Sequence, residues 1–273
     1  MEHRSPEIAE IGRFVRARRM ASRSTGSGDF FRRRRHVPYI PQSDLAEMIG
    51  VSPVVISQIE QGKYPNLNHT ILRRISTALR FNHQQEMYVL GLLSPRPEIQ
   101  KARSEVPSWI VESVNDRQNP VMVVNPAYDL MAWNSGVSTL LGDYSDAFFR
   151  TCNAAISVIR LPEMKTFFAD WDEYARSIAS GMRMSYGVHA EYRNYLSNLA
   201  DDLAAENTVF ADQWHKDDPL VTATIEKELN HTSLGTLRMI QIVNVIVEAP
   251  QLTQVEFLPA DEATAAKYAS VNS

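Results

Sequence analysis

Apolar positions recur at helical spacing through the N-terminal third of the chain and change period afterwards. From Ile8 to Met20, the residues Ile11, Phe14 and Val15 form a stripe at i, i+3 and i+4, which predicts an amphipathic helix. A second helix is predicted from Gln42 or Ser43 to Ile49, with Leu45, Ala46 and Ile49 inward, and a third from Ser52 to Gln61, with Ile56 and Ile59 inward. Ile71, Leu72, Ile75 and Leu79 mark a fourth, and a last helix lies near Gln84–Leu92. Past residue 105 the pattern mixes periods. Val106–Arg117 reads as a helix carrying Trp109, Ile110 and Val114. The apolar runs Val121–Val124 and Leu130–Trp133, separated by the turn Asn125-Pro126-Ala127, read as strand, turn, strand. A short helix Ser135–Leu141 is expected behind Asn134 as cap, then one long helix over Glu163–Met184, then helices near His189–Ala205 and Thr208–Lys216. Three late strands are expected: the alternating Thr222–Glu228, the β-branched stretch "TLRMIQIVNVIVEA", and "TQVEFLP". Together these predict an all-α N-terminal domain followed by an α+β domain with an antiparallel sheet.

Proline density places the boundary. "GLLSPRPEIQKARSEVPS", residues 91–108, holds three prolines among charged residues, which stop helices and stiffen links. The expected organisation is a domain over 1–94, a linker over 95–105 and a domain over 106–273. Charge sharpens this division. Residues 1–105 carry 17 Lys/Arg against 10 Asp/Glu, a net of +7, and residues 106–273 carry 11 against 22, a net of −11. A basic half beside an acidic half points to a polyanion as partner of the first half only.

The stretch "LAEMIGVSPVVISQIEQGKYP" carries the chemistry of the basic half. Gly50 suits a tight turn that needs positive φ, Ser52 is a good helix N-cap, Pro53 suits the first helical position, and Gly62 ends the helix. Val54, Val55, Ser57 and Gln58 fall off the buried stripe. A short helix that points small and amide side chains outward beside a basic region is a helix-turn-helix reader. Gln58 suits an adenine or a phosphate, and Val54 and Val55 suit thymine methyl groups. Ser52 and Pro53, at the N-terminal end of that helix, face a backbone phosphate, as do Gln42 and Lys63. Arg32, Arg33, Arg34 and Arg35 sit in a Ser-, Gly- and Arg-rich loop and would run along phosphates or enter a minor groove. Glu60 is expected to stabilise the fold.

The segment "QSDLAEMIGVSPVVISQIEQGKYPNLNHTILRRISTAL" resembles the helix-turn-helix of the XRE (phage-repressor-like) regulators, and the resemblance covers roughly residues 6–93. It implies a five-helix bundle that binds a near-palindromic double-stranded DNA operator as a dimer. The long Arg-rich loop between the first two helices departs from the family pattern.

The second half resembles a PAS-like sensor, and more closely the MmyB-like ligand-binding domain found behind XRE-type regulators. The carrying residues are Pro120, "VVNPAYDLMAWN" with Trp133 and Asn134, Gly142-Asp143, Asp170-Trp171, Arg183, Phe210 with Trp214, and His231 with Gly235. The resemblance spans about 106–260 and implies a pocket for a fatty-acid-like or other small apolar ligand, and dimerisation. It weakens around Thr151–Pro162, where "TCNAAISVIRLPEMK" keeps the family pattern only partly.

A sheet covered on one face by aromatic-rich helices is compatible with such a pocket. Its expected lining is Met122, Val124, Trp133, Phe148, Phe149, Phe167, Trp171, Met182, Trp214, Met239 and Ile242. A carboxylate head would need Arg183, Arg150 or Asn134 as partner. The competing expectation is that Arg183 snorkels or pairs with a helix-surface Asp, and that Asn134 holds its turn through backbone hydrogen bonds.

Other chemistry is missing from the sequence. Cys152 is the single cysteine, which excludes an internal disulfide and a C-x-x-C metal site and suits a reducing cytoplasm. No zinc-protease helix pattern, nucleophile elbow or phosphate-cradling loop occurs, so no catalysis, metal or cofactor is expected. No apolar run of membrane-spanning length occurs. The expected protein is a ligand-responsive, dimeric transcription regulator. The alternatives are a constitutive DNA-binding repressor whose second half only dimerises or binds a protein, and a PAS sensor bearing haem or flavin, with His189, His215 and His231 as the histidines available.

Overall fold

The structure, a computed structural model, describes residues 6–22, 39–94, 106–218, 220 and 226–271. They fall into two compact units, one holding the five N-terminal helices and one holding the sheet with the remaining helices. The Arg32–Arg35 run, the 95–105 linker and residues 222–225 of the expected third-last strand lie outside the described residues.

The first unit consists of α1 (Pro6–Ala21), α2 (Gln42–Ile49), α3 (Pro53–Glu60), α4 (His69–Ala78) and α5 (His83–Leu92). Its core is the set of apolar stripes read from the sequence. Ile11, Phe14, Val15, Leu45, Ile49, Ile56, Ile59, Leu72 and Ile75 are all buried. Phe14 meets the rings of Phe81 and Tyr88 with centroids 5.5 and 5.3 Å away. Gly50 closes α2 at φ +71°, as its turn requires. Gly12 has a different reason to be glycine: a Cβ there would lie 2.4 Å from the Ile59 carbonyl oxygen, so α1 rests directly on the end of α3. Side-chain caps start α4 and α5, from Asn68 to the Ile71 N–H and from Asn82 in a reciprocal box with Gln85.

The second unit is built on a five-stranded antiparallel sheet in the order β2-β1-β5-β4-β3. The strands are β1 (Val121–Val124), β2 (Leu130–Trp133), β3 (Glu226–His231), β4 (Gly235–Val245) and β5 (Thr253–Pro259). On one face, α6 (Ser108–Asn115) covers Val121, Val123 and Ala132 in a cluster with Ile110, Val114 and Leu252. Period-2 alternation sends Met122 and Val124 to the opposite face. That face meets α7 (Ser135–Leu141), α8 (Ser145–Arg150), α9 (Ala154–Arg160), α10 (Pro162–Phe167) and α11 (Trp171–Val188), with α12 (Arg193–Glu206) and α13 (Thr208–Trp214) packed on α11. A final helix, α14 (Glu262–Ala269), packs against β4 and β5.

One expected element is corrected. The single helix over Glu163–Met184 is two helices with a break at Phe168, which is extended at φ −84°, ψ 120°. The break exists because Phe168 bridges to Leu229, and the Ala169 N–H donates to the Glu228 carbonyl at 3.0 Å. Asp170 then caps α11 by accepting from the Glu173 N–H at 2.8 Å. The segments α8, α9 and α14 carry no expectation from the sequence pattern, and the Thr151–Pro162 region is helical through α9.

Candidate functional site

In the first unit, α2, the Gly50 turn and α3 present one open helix face. Ser52, Pro53, Val54 and Lys63 are exposed and Val55, Ser57 and Gln58 partly so, with Val54 63% exposed. Ser52 stands at the N-cap in extended conformation, but its side chain makes no capping bond, so the hydroxyl is uncommitted within the helix. Pro53 occupies the first turn as expected. The Ser57 hydroxyl accepts from Gln61 Nε2 at 2.9 Å.

A buried ion pair fixes this helix from behind. Arg19 Nε and Nη2 donate to Glu60 Oε1 and Oε2 at 2.5 and 3.0 Å, and Arg19 Nη1 donates to the Ile40 carbonyl at 2.7 Å. Gln42 Nε2 donates to Glu60 Oε2 at 2.7 Å. Glu60 is therefore a fold residue, as its sequence position implied. Gln42, expected at a phosphate, has one of its two amide N–H groups committed inside the unit.

The second unit encloses a cavity of about 70 Å³ between the sheet and the helices. Its floor is Met122 and Val124 of β1 with Gln241, Val255 and Phe257 of the neighbouring strands. Its walls are Val137, Leu140 and Leu141 of α7, Phe148, Ala154 and Val158 of α8 and α9, Phe167 and Phe168, and Tyr174 and Ile178 of α11. Tyr128, from the turn between β1 and β2, completes it. Burial pushes the phenol pKa values of Tyr128 and Tyr174 well above the usual range, so both keep their O–H.

Four of the expected lining residues stand in this wall: Met122, Val124, Phe148 and Phe167. The others are not part of this wall. Trp133 shares a face with Met122 but lies on the edge strand, 41% exposed, where it stacks on Phe149 at 4.7 Å. Trp171 turns its indole N–H to the Val158 carbonyl at 2.9 Å. Arg183 follows Tyr174 by nine positions, which at about 100° per residue points it to the opposite side of α11. There its guanidinium lies 5.0 Å from the Trp214 ring, which itself stacks on Phe210. Met182 is buried off the cavity, Met239 is buried between Lys227 and Pro259, and Ile242 points away from the face that Gln241 lines. Arg150 is exposed. Asn134 occupies the N-cap of α7 without capping it. Its Oδ1 accepts from the Val121 N–H at 3.1 Å, and its Nδ2 donates to the Arg117 and Asn119 carbonyls at 3.0 and 2.8 Å. It is a buried clamp on the chain entering β1, the backbone role expected as its alternative.

The sequence reading missed Tyr128, Tyr174 and Gln241, the polar atoms of the cavity. It also missed Arg193, which is buried and caps the end of α11 by donating to the Tyr186 and Gly187 carbonyls at 3.0 and 3.1 Å. His231 is held as the tautomer with a proton on Nε2: Nδ1 accepts from the Ser233 and Leu234 N–H groups, so Nε2 donates to the Thr139 carbonyl at 2.9 Å. Among the described residues no group of three His, Cys, Asp or Glu side chains is placed to hold a metal ion, and no helix is long and apolar enough to cross a membrane.

An outward helix-turn-helix face, followed by a sheet-and-helix unit around an apolar cavity, defines a DNA-binding regulator with a ligand domain. Residues 109–270 match the family described as the MmyB-like transcription regulator ligand binding domain, and residues 39–84 match a helix-turn-helix family. The first match covers more than half of the chain, which belongs to the MmyB-like transcription regulators. A comparison with curated proteins found no match.

Proposed function

We propose that this regulator is switched by a small apolar molecule, fatty-acid-like in its hydrocarbon body, held in the cavity of the second unit. The observation that carries the reading is the cavity itself, whose wall among the described residues is apolar apart from Tyr128, Tyr174 and Gln241. Its volume of about 70 Å³ is below the ~150 Å³ of an engineered cavity that accepts benzene, so a long chain enters only if wall side chains move. That requirement suits a switch: a ligand that enlarges the cavity favours one conformation over another, which is the condition for a population shift.

On the DNA side, α3 enters the major groove of an operator. Val54, Val55 and Gln58 meet base edges, and Ser52, Pro53, Ser57, Lys63 and the Arg32–Arg35 run meet the backbone. The protein acts as a homodimer on a near-palindromic site, in keeping with the geometry of helix-turn-helix readers.

The test is mass spectrometry of whatever a denaturing solvent extracts from the purified protein, followed by operator binding with and without the extracted compound. A stoichiometric apolar compound that changes operator affinity is the expected result. An empty extract, with no apolar compound altering operator binding, would sink the sensor reading and leave a constitutive DNA-binding protein.

A further inference from the structure

Tyr128 stands at φ +66°, in the left-handed region that glycine or asparagine normally occupies. Its turn is clamped on every side. Asn125 Oδ1 accepts from the Ala127 and Asp129 N–H groups at 2.9 and 3.0 Å, and the Tyr128 N–H donates to the Asn125 carbonyl at 2.9 Å. Asn153 Nδ2 donates to the Ala127 carbonyl at 2.8 Å, and the Ala154 N–H donates to the Tyr128 carbonyl at 2.9 Å. A backbone outlier over-determined by its surroundings aims one side chain along a line that a relaxed turn would not provide, and such outliers cluster at ligand clamps.

The side chain so aimed lines the cavity and ends against α11. A Cβ on Gly181 would lie 2.1 Å from the Tyr128 hydroxyl oxygen, so a glycine there makes room for the hydroxyl. Burial raises the pKa of this phenol, so the hydroxyl keeps its proton. Elsewhere in the wall, Gln241 Nε2 donates to the Tyr174 hydroxyl at 3.3 Å. Among the described residues, no Asp, Glu, Lys, Arg or His lines the cavity. The cation beside Tyr174, Lys227, is already paired with Glu173 Oε2 at 2.7 Å.

We infer that the molecule held here is neutral, an apolar body with one hydroxyl or carbonyl oxygen, and that the Tyr128 hydroxyl donates to that oxygen. The inference rests on the ligand-binding reading above and specifies its chemistry. A carboxylate in this wall would be a buried charge with no partner, which is far costlier than a neutral oxygen accepting one hydrogen bond. A carboxylic acid therefore enters only in its protonated form.

The experiment is calorimetric titration of the full-length protein with 1-octanol and with octanoate at pH 7.5 and pH 4.5. The two probes share a chain, so their difference reads the head group. 1-Octanol is expected to bind at least about ten-fold more tightly than octanoate at pH 7.5, with the gap narrowing at pH 4.5 as octanoate is neutralised. Tyr128→Phe is expected to weaken 1-octanol by about two- to ten-fold, the range of one hydrogen bond, without lowering the thermal midpoint of the unliganded protein. Octanoate binding as tightly as 1-octanol at pH 7.5 overturns the neutral-ligand inference and leaves an apolar pocket standing. Unchanged 1-octanol affinity in a folded Tyr128→Phe variant overturns the role of Tyr128. Binding of neither probe overturns both the inference and the pocket reading. The comparison of probes on the wild-type protein stands even where the variant does not fold.

Discussion

Arg19 on α1 and Glu60 at the end of α3 form a buried two-point ion pair, and Gln42 at the start of α2 adds a third hydrogen bond to the same carboxylate. Three helices of the reading unit are thereby tied at one carboxyl group. Replacing Glu60 with alanine strands the buried guanidinium and is expected to cost about 3–5 kcal/mol. The double variant Arg19→Met, Glu60→Leu removes both charges and is expected to cost far less. Chemical denaturation of the wild type and both variants checks this. A Glu60→Ala protein as stable as the wild type would show that the pair holds nothing.

Two glycines of this unit are expected to fail for different reasons. Gly12→Ala drives a methyl group against the Ile59 carbonyl, so α1 and α3 must separate, at about 1–3 kcal/mol, and operator affinity should fall with stability. Gly50→Ala meets nothing within 4 Å and pays only for its left-handed φ, about 1–2 kcal/mol, with operator affinity of the folded protein kept. Thermal unfolding beside a mobility-shift titration separates the two.

Gln58 is partly exposed on the open face of α3, and its side chain is proposed to read a base. Gln58→Ala should weaken binding to the cognate operator by about 1–3 kcal/mol and spare binding to random DNA. Lys63→Ala should weaken both alike and lower the slope of log affinity against log salt by about one. Equal losses on both DNAs for Gln58→Ala would assign that residue to the backbone.

The raised phenol pKa values of Tyr128 and Tyr174 carry a pH signature. Both groups hold their protons in the folded state at pH values where the unfolded chain releases them. The stability they contribute is fully present below pH ~10, the ordinary tyrosine value, and is lost as pH rises above it. Unfolding midpoints measured from pH 8 to pH 11 should fall at the upper end. The variant Tyr128→Phe, Tyr174→Phe should fall less steeply over the same range.

Ala154 lines the cavity at the start of α9. Ala154→Leu places three further carbon atoms toward a space of about 70 Å³, so it should leave the domain as stable as before or raise its stability by about 1 kcal/mol. The same substitution should reduce ligand binding. Unchanged uptake of 1-octanol by this variant would show that the ligand lies elsewhere.

The reading unit was legible because its information is local. Its stripes at i, i+3 and i+4, the Gly50 turn and the Ser52-Pro53 start each depend on neighbours within one or two turns, and Ile56, Ile59 and Glu60 lie where that spacing put them. β1, β2 and β5 were legible for the same reason, each being a short apolar or alternating run between turn signals. The break at Phe168 carried a local signal that was passed over, the Asp170…Glu173 pair at capping-box spacing. The cavity had no such signal. An aromatic residue is equally apolar on the cavity side of α11, on its α13 side or on an edge strand, so Trp133, Trp171 and Trp214 read the same from the sequence as Phe148 and Phe167. Their separation follows from which strand lies at the sheet edge and which side of α11 meets the sheet. Tyr128 reads as an ordinary turn residue until Asn125, Asn153 and Gly181, up to 53 positions away, are folded around it. Helix and turn chemistry along the chain thus decided the helix-turn-helix unit, and the long-range packing of strand, turn and helix decided where the cavity lies and which polar groups line it.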